Sequence, residues 1–213
     1  MNLPNVLSLG RIAAAPLIAL LPFAPTWEFK LVGFVLFIFA AVSDYYDGVL
    51  ARTRNLVTDL GKLLDPLADK LLLAATLIPI YLLMQGWGTP ISMAFETPLG
   101  RVGLPLWALL VVLGRELFMT IFRQTAAAKG VIIAAIGPAK WKLGFQSTWV
   151  GAAYFWFAAK AAAFRYGWDG ELWCAFAWFN GIVGTVTMAV AITLTLYSMW
   201  LYLRRYRGVF VGG

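Results

Sequence analysis

Histidine is absent from this chain of 213 residues, and cysteine occurs once, at Cys174. Without histidine there is no imidazole base, nucleophile or metal ligand. A single thiol closes no intrachain disulfide and builds no thiolate metal site alone. Charge is scarce as well: 13% of the residues are Asp, Glu, Lys or Arg, and 62% are hydrophobic. A soluble domain carries roughly twice that charged fraction. So few polar groups cannot solvate a globule, and so many apolar ones exclude a disordered chain. The composition is that of an integral membrane protein.

What the chain has in quantity is long apolar runs. Six stretches, at about 9–24, 28–52, 62–86, 103–128, 140–164 and 172–203, approach the roughly 20 residues that cross a bilayer as a helix. The first is read as a retained helix, because Pro25 opposes cleavage after Ala24 and five more runs follow. Ahead of it, Leu3, Val6 and Leu7 share one side of a short helical turn suited to the membrane interface. Neither an internal repeat nor a low-complexity linker divides the chain. Residues 1–213 therefore read as a single transmembrane domain with an all-α fold of six membrane helices.

The basic residues orient that fold. With both termini in the cytoplasm, thirteen Lys and Arg fall on the cytoplasmic side, Arg11, Arg52, Arg115 and Arg204 among them. Four fall on the other side: Lys30, Arg101, Lys160 and Arg165. The positive-inside rule favours this arrangement. The net charge of +7 is then a matter of topology and attraction to anionic membrane lipids, with no nucleic-acid partner.

The acids are less evenly spread. Of ten Asp and Glu, five lie between Asp44 and Asp69. Carboxylates beside hydrocarbon are costly and need a partner or a function. On a helix, Asp44, Asp47, Gly48 and Ala51 follow the i, i+3, i+4, i+7 spacing and share a face. Gly61, Asp65 and Asp69 form a matching stripe on the next helix. The short polar connection between them makes the two helices antiparallel neighbours whose acidic faces can meet. A lone Asp at such a place usually pairs with nearby Lys or Arg. Four converging carboxylates repel strongly unless divalent ions neutralise them. Ligation by oxygen alone favours Mg²⁺ or Mn²⁺, with Ca²⁺ a competitor. Two such ions can clamp a pyrophosphate. Gly48 and Ala51 leave room for a flat ligand, and Arg52 can hold phosphate in a forked contact.

The pattern D-x2-D-G-x2-A-R-x8-G-x3-D-x3-D, matched at every fixed position from Asp44 to Asp69, resembles the signature of the CDP-alcohol phosphotransferases. The resemblance implies a six-helix membrane fold, a homodimer and a site at the cytoplasmic face of the cell membrane. It implies two divalent ions held by Asp44, Asp47, Asp65 and Asp69. The CDP donor would be bound by Asp44, Gly48, Ala51, Arg52, Gly61 and Asp65. Asp69 would be the catalytic base for an acceptor hydroxyl, which attacks the lipid-linked phosphorus as CMP leaves.

Two further stretches, Asn2 to Arg11 and Gly114 to Lys142, look like those of the phosphatidylglycerophosphate synthases within this family. On that likeness the donor is CDP-diacylglycerol and the acceptor glycerol 3-phosphate. Arg115 and Arg123, eight residues apart, lie on similar faces of one helix, and with Lys140 and Lys142 they make a basic mouth suited to an anionic acceptor. Glu116 is read as a structural partner for a neighbouring cation, and the last third of the chain as generic apolar helix. Inositol phosphate, phosphatidylglycerol and serine are alternative acceptors, of which the basic mouth favours the phosphorylated alcohol. A divalent-cation transporter is the alternative outside enzymes. It normally shows repeated halves and a mid-membrane site.

Overall fold

The computed structural model describes residues 3–53, 59–128, 130 and 137–206. Within them, side chains are described for all but residues 3, 4, 45, 47–53, 59, 60, 62, 63 and 138–140. The chain forms six long helices: α1 (Leu3–Leu20), α2 (Trp27–Thr53), α3 (Asp59–Met84), α4 (Leu106–Ala128), α5 (Gly137–Tyr166) and α6 (Glu171–Arg205). Each apolar stretch of the sequence has become one helix. By length and composition, the segments Asn5–Phe23, Leu64–Met84 and Glu171–Arg205 can cross a membrane. Large apolar side chains such as Leu17, Phe39, Leu110, Ile121 and Phe179 stay exposed on the bundle surface. In water such a surface would be a liability. In hydrocarbon it is the expected exterior.

Two features differ from the sequence reading. The expected interfacial turn is no element of its own, because α1 runs unbroken from Leu3. The fold also contains strand as well as helix. Between α3 and α4 a hairpin pairs β1 (Phe95–Thr97) with β2 (Gly100–Val102), Glu96 opposite Arg101. Gly100 at the turn takes φ +119°, a conformation open to glycine. The hairpin lies on α6, where Gly181 and Gly184 leave a notch. A Cβ at Gly181 would stand 1.8 Å from the Glu96 carbonyl oxygen, and one at Gly184 2.3 Å from the Phe95 ring. Lys160 of α5 closes the contact through an ion pair with Glu96. Such a dock depends on residues some 80 positions apart, which no local pattern announces.

Apolar burial gives little drive for helices to associate within lipid, so close packing and satisfied polar groups decide the arrangement. α1 packs on α2 and α3, α5 on α2 and α6, and α4 on α6. One buried hydroxyl ties three of these elements. Proline at position 22 cannot donate to the Ile18 carbonyl, and Pro79 cannot donate to that of Ala75. The hydroxyl of Tyr154, on α5, donates to the Ile18 carbonyl at 3.0 Å and lies 3.1 Å from that of Ala75. Backbone oxygens orphaned by two prolines are thus met by one side chain, as a low-dielectric interior requires.

Candidate functional site

The acidic constellation gathers around α1. Buried positions on that helix fall at Asn5, Ser8, Arg11, Ala15 and Ile18, so its polar stripe turns inward. Arg11 is 2% exposed and donates from one nitrogen, Nη1, to both Asp44 of α2 and Asp69 of α3, the latter at 2.8 Å. One turn earlier, the Ser8 hydroxyl donates to Asp65. Gly61, on the same stripe of α3 as Asp65 and Asp69, is buried. Among the described residues α2 and α3 touch each other little, and both pack against α1. The acidic faces therefore converge as expected, with α1 supplying the element that joins them.

Of the residues singled out in the sequence, Asp44, Asp65 and Asp69 are brought into this one network. The side chains of Asp47, Ala51 and Arg52, and Gly48 with them, lie outside the described residues. Two carboxylates that meet on a single guanidinium nitrogen are close enough to share one cation. In this arrangement the cation is Arg11, and no ready-made cage of three metal-ligating side chains exists among the described residues. The donor set nonetheless fits a hard divalent ion, since every partner of the cluster but Arg11 offers oxygen. Arg11, placed in the sequence by topology and by the likeness of the stretch Asn2 to Arg11, was not named there as a partner of the acids, which is where the structure puts it. Its signal was present as a polar i, i+3, i+6 stripe at 5, 8 and 11.

A second cluster lies where α4, α5 and α6 meet. Arg115 and Lys142 are both buried, and both donate to Oε1 of Glu116, Arg115 at 2.7 Å. Arg115 also donates from Nη2 to the Ser198 hydroxyl at 3.0 Å. Arg123 reaches the Tyr202 hydroxyl at 3.4 Å, with its guanidinium 5.7 Å from the centre of that ring. The Lys140 side chain lies outside the described residues. Glu116 has the structural role expected of it. Ser198 and Tyr202 were hidden in a helix that reads as uniformly apolar.

Two cavities of about 620 and 630 Å³ lie elsewhere, one bordered by Lys30, Thr89 and Arg165 and the other by Trp168, Asp169 and Trp173. Neither includes any side chain of the two charged clusters.

Comparison with known proteins places the chain among relatives. A Bacillus subtilis protein named CDP-diacylglycerol--glycerol-3-phosphate 3-phosphatidyltransferase is 37% identical over 146 residues, 63% of this chain and 66% of its own length. An Arabidopsis thaliana chloroplastic/mitochondrial protein of that name is 37% identical over 156 residues, 70% of this chain and 49% of its own. A CMP-forming cardiolipin synthase of Oryza sativa is 35% identical over 161 residues, 70% of this chain and 44% of its own. The chain thus spans less than two thirds of the length of these relatives. The sequence profile of the CDP-alcohol phosphatidyltransferases, in contrast, runs through residues 1–197, a range that takes in the α1 stripe, the acidic pair of helices and the cations of the basic cluster. The chain belongs to the CDP-alcohol phosphatidyltransferase family.

Proposed function

We propose that this protein transfers a phosphatidyl group from CDP-diacylglycerol to sn-glycerol 3-phosphate, giving phosphatidylglycerophosphate and CMP. The observation that carries the choice of acceptor is the buried basic cluster, in which Arg115 and Lys142 share one carboxylate and so hold surplus positive charge. A phosphomonoester fits that surplus better than the phosphodiester of phosphatidylglycerol or the zwitterion serine. The names of the Bacillus and Arabidopsis relatives support the same reaction.

In this reading Asp44, Asp47, Asp65 and Asp69 hold two divalent ions, Mg²⁺ or Mn²⁺. Bound there, the ions neutralise the pyrophosphate and polarise its oxygens. Gly48, Ala51, Arg52 and Gly61, with Asp44 and Asp65, seat the CDP part of the donor. Arg115, Arg123, Lys140 and Lys142 hold the acceptor phosphate. Asp69 takes the proton of the acceptor hydroxyl, whose oxygen bonds to the lipid-linked phosphorus while the bond to CMP breaks. Before substrate arrives, Arg11 offsets part of the charge of Asp44 and Asp69, and Glu116 part of that of Arg115 and Lys142.

All six helices span the cell membrane, as one catalytic domain with both termini and the site on the cytoplasmic side. The first turns of α1 lie at the interface, and two copies associate as a homodimer. The distribution of Lys and Arg supports the orientation.

A second reading keeps the donor and takes phosphatidylglycerol as acceptor, favoured by the name of the rice relative. The test is an assay in liposomes with CDP-diacylglycerol, Mg²⁺ or Mn²⁺ and labelled glycerol 3-phosphate. Metal-dependent labelled lipid with stoichiometric CMP is the expected result. CMP release only with phosphatidylglycerol establishes the second reading, and no CMP with any acceptor overturns both.

A further inference from the structure

We propose that Ser198 and Tyr202 of α6 are positioning residues that fix the guanidinium groups of Arg115 and Arg123 on the acceptor phosphate. The inference rests on the assignment of that phosphate to the basic cluster. Both α6 residues are fully buried, at 0% exposure. The Ser198 hydroxyl spends its hydrogen on the Thr195 carbonyl at 3.1 Å, so its lone pairs face Arg115 as acceptors. Glu116 takes one terminal nitrogen of Arg115 and Ser198 the other, which sets the plane of the guanidinium. Each of those nitrogens keeps a second hydrogen. The Arg115 Nε is buried with no hydrogen-bond partner among the described residues. A buried donor left open is costly, and an anionic ligand would satisfy it.

Tyr202 adds the second half. It lies one helical turn beyond Ser198, about 6 Å along the axis. Its ring supports the Arg123 guanidinium from one side while its hydroxyl accepts from Nη2. An arginine is otherwise a long chain with many rotamers, and pinning it in advance lowers the cost of binding. Two arginines anchored one turn apart can reach a single phosphate group. An acceptor without a phosphomonoester gains little from them, so α6 contributes to specificity.

Steady-state kinetics of Ser198→Ala, Ser198→Thr, Tyr202→Phe and Arg115→Gln, in the liposome assay above, test this. Ser198→Ala is expected to raise KM for glycerol 3-phosphate about tenfold, leaving KM for CDP-diacylglycerol unchanged. Ser198→Thr restores the hydroxyl and the lower KM. Tyr202→Phe raises the same KM about threefold, because its bond is longer and the ring remains. If Arg115→Gln raises KM for glycerol 3-phosphate and Ser198→Ala does not, the positioning role is overturned and the acceptor site stands. If Arg115→Gln leaves that KM unchanged, the acceptor site itself is misassigned and this inference fails with it. Equal changes in both KM values on Ser198→Ala, with a lowered melting temperature, would overturn it as plain structural damage.

Discussion

The two charged clusters are opposites in sign and alike in design. Around α1, three described carboxylates, Asp44, Asp65 and Asp69, meet one guanidinium and one hydroxyl. Between α4, α5 and α6, three cations, Arg115, Arg123 and Lys142, meet one carboxylate and two hydroxyls. Among the described residues each cluster thus carries one built-in ion of opposite charge. That ion lets the cluster exist in an apolar bundle before any ligand comes, since unpaired charge there is costly. The charge left over is what the proposed function uses: cations at the first cluster, an anion at the second. The clusters differ in burial. Arg115 and Lys142 have side chains 5% and 8% exposed, whereas those of Asp44 and Asp69 are 35% and 57% exposed. The basic cluster therefore depends more heavily on its counterion.

Changing one member at a time separates these claims. The largest effect is expected for Asp69→Asn, which keeps the shape and removes the proposed base. CMP release should fall about a thousandfold, measured against wild type at equal folded protein, and an active variant would remove Asp69 from its role. Glu116→Gln comes next. It strands two buried cations, and removing one partner of such a group costs about 3 kcal/mol. Heat or denaturant melts of the substrate-free protein measure this, and inorganic phosphate should stabilise the variant more than it does wild type.

Tyr154→Phe lies outside both clusters and gives a neutral contrast. It leaves the Ile18 and Ala75 carbonyls without their shared donor, a loss of about 2 kcal/mol. Neither phosphate nor Mg²⁺ should offset that loss selectively. The smallest effect is expected for Arg11→Met, because the carboxylates it leaves unpaired reach the surface. A cost of about 1 kcal/mol in EDTA should be largely recovered with Mg²⁺ or Mn²⁺. Should Arg11→Met prove more damaging than Glu116→Gln, burial does not govern the difference between the clusters.

The acidic cluster was legible because its information is local. The spacing of Asp44 and Asp47, then Asp65 and Asp69, places carboxylates on helix faces without knowledge of the rest of the fold. Arg11 was not legible as a partner, because its bonds cross 33 and 58 residues. In the sequence it is one cation among seventeen, and topology alone accounts for its sign. Ser198 and Tyr202 were harder still. Hydroxyls in an apolar helix can bond their own backbone, so they hardly disturb its apolar pattern. The hairpin was missed because three-residue strands carry little pattern, and its dock depends on Gly181 and Gly184 far along the chain.

Composition and periodicity by themselves determined that this chain is a membrane-adapted bundle of long helices, since hydrocarbon tolerates backbone only when its hydrogen bonds close within the segment. They determined as well that carboxylates at 44, 47, 65 and 69 share helix faces, because helical geometry is fixed by the chain itself. Only the tertiary structure decided which opposite charge each cluster would hold, and that α1 would join the acids of α2 and α3. Those choices depend on contacts between distant segments, where packing and desolvation act together and no local spacing records the outcome.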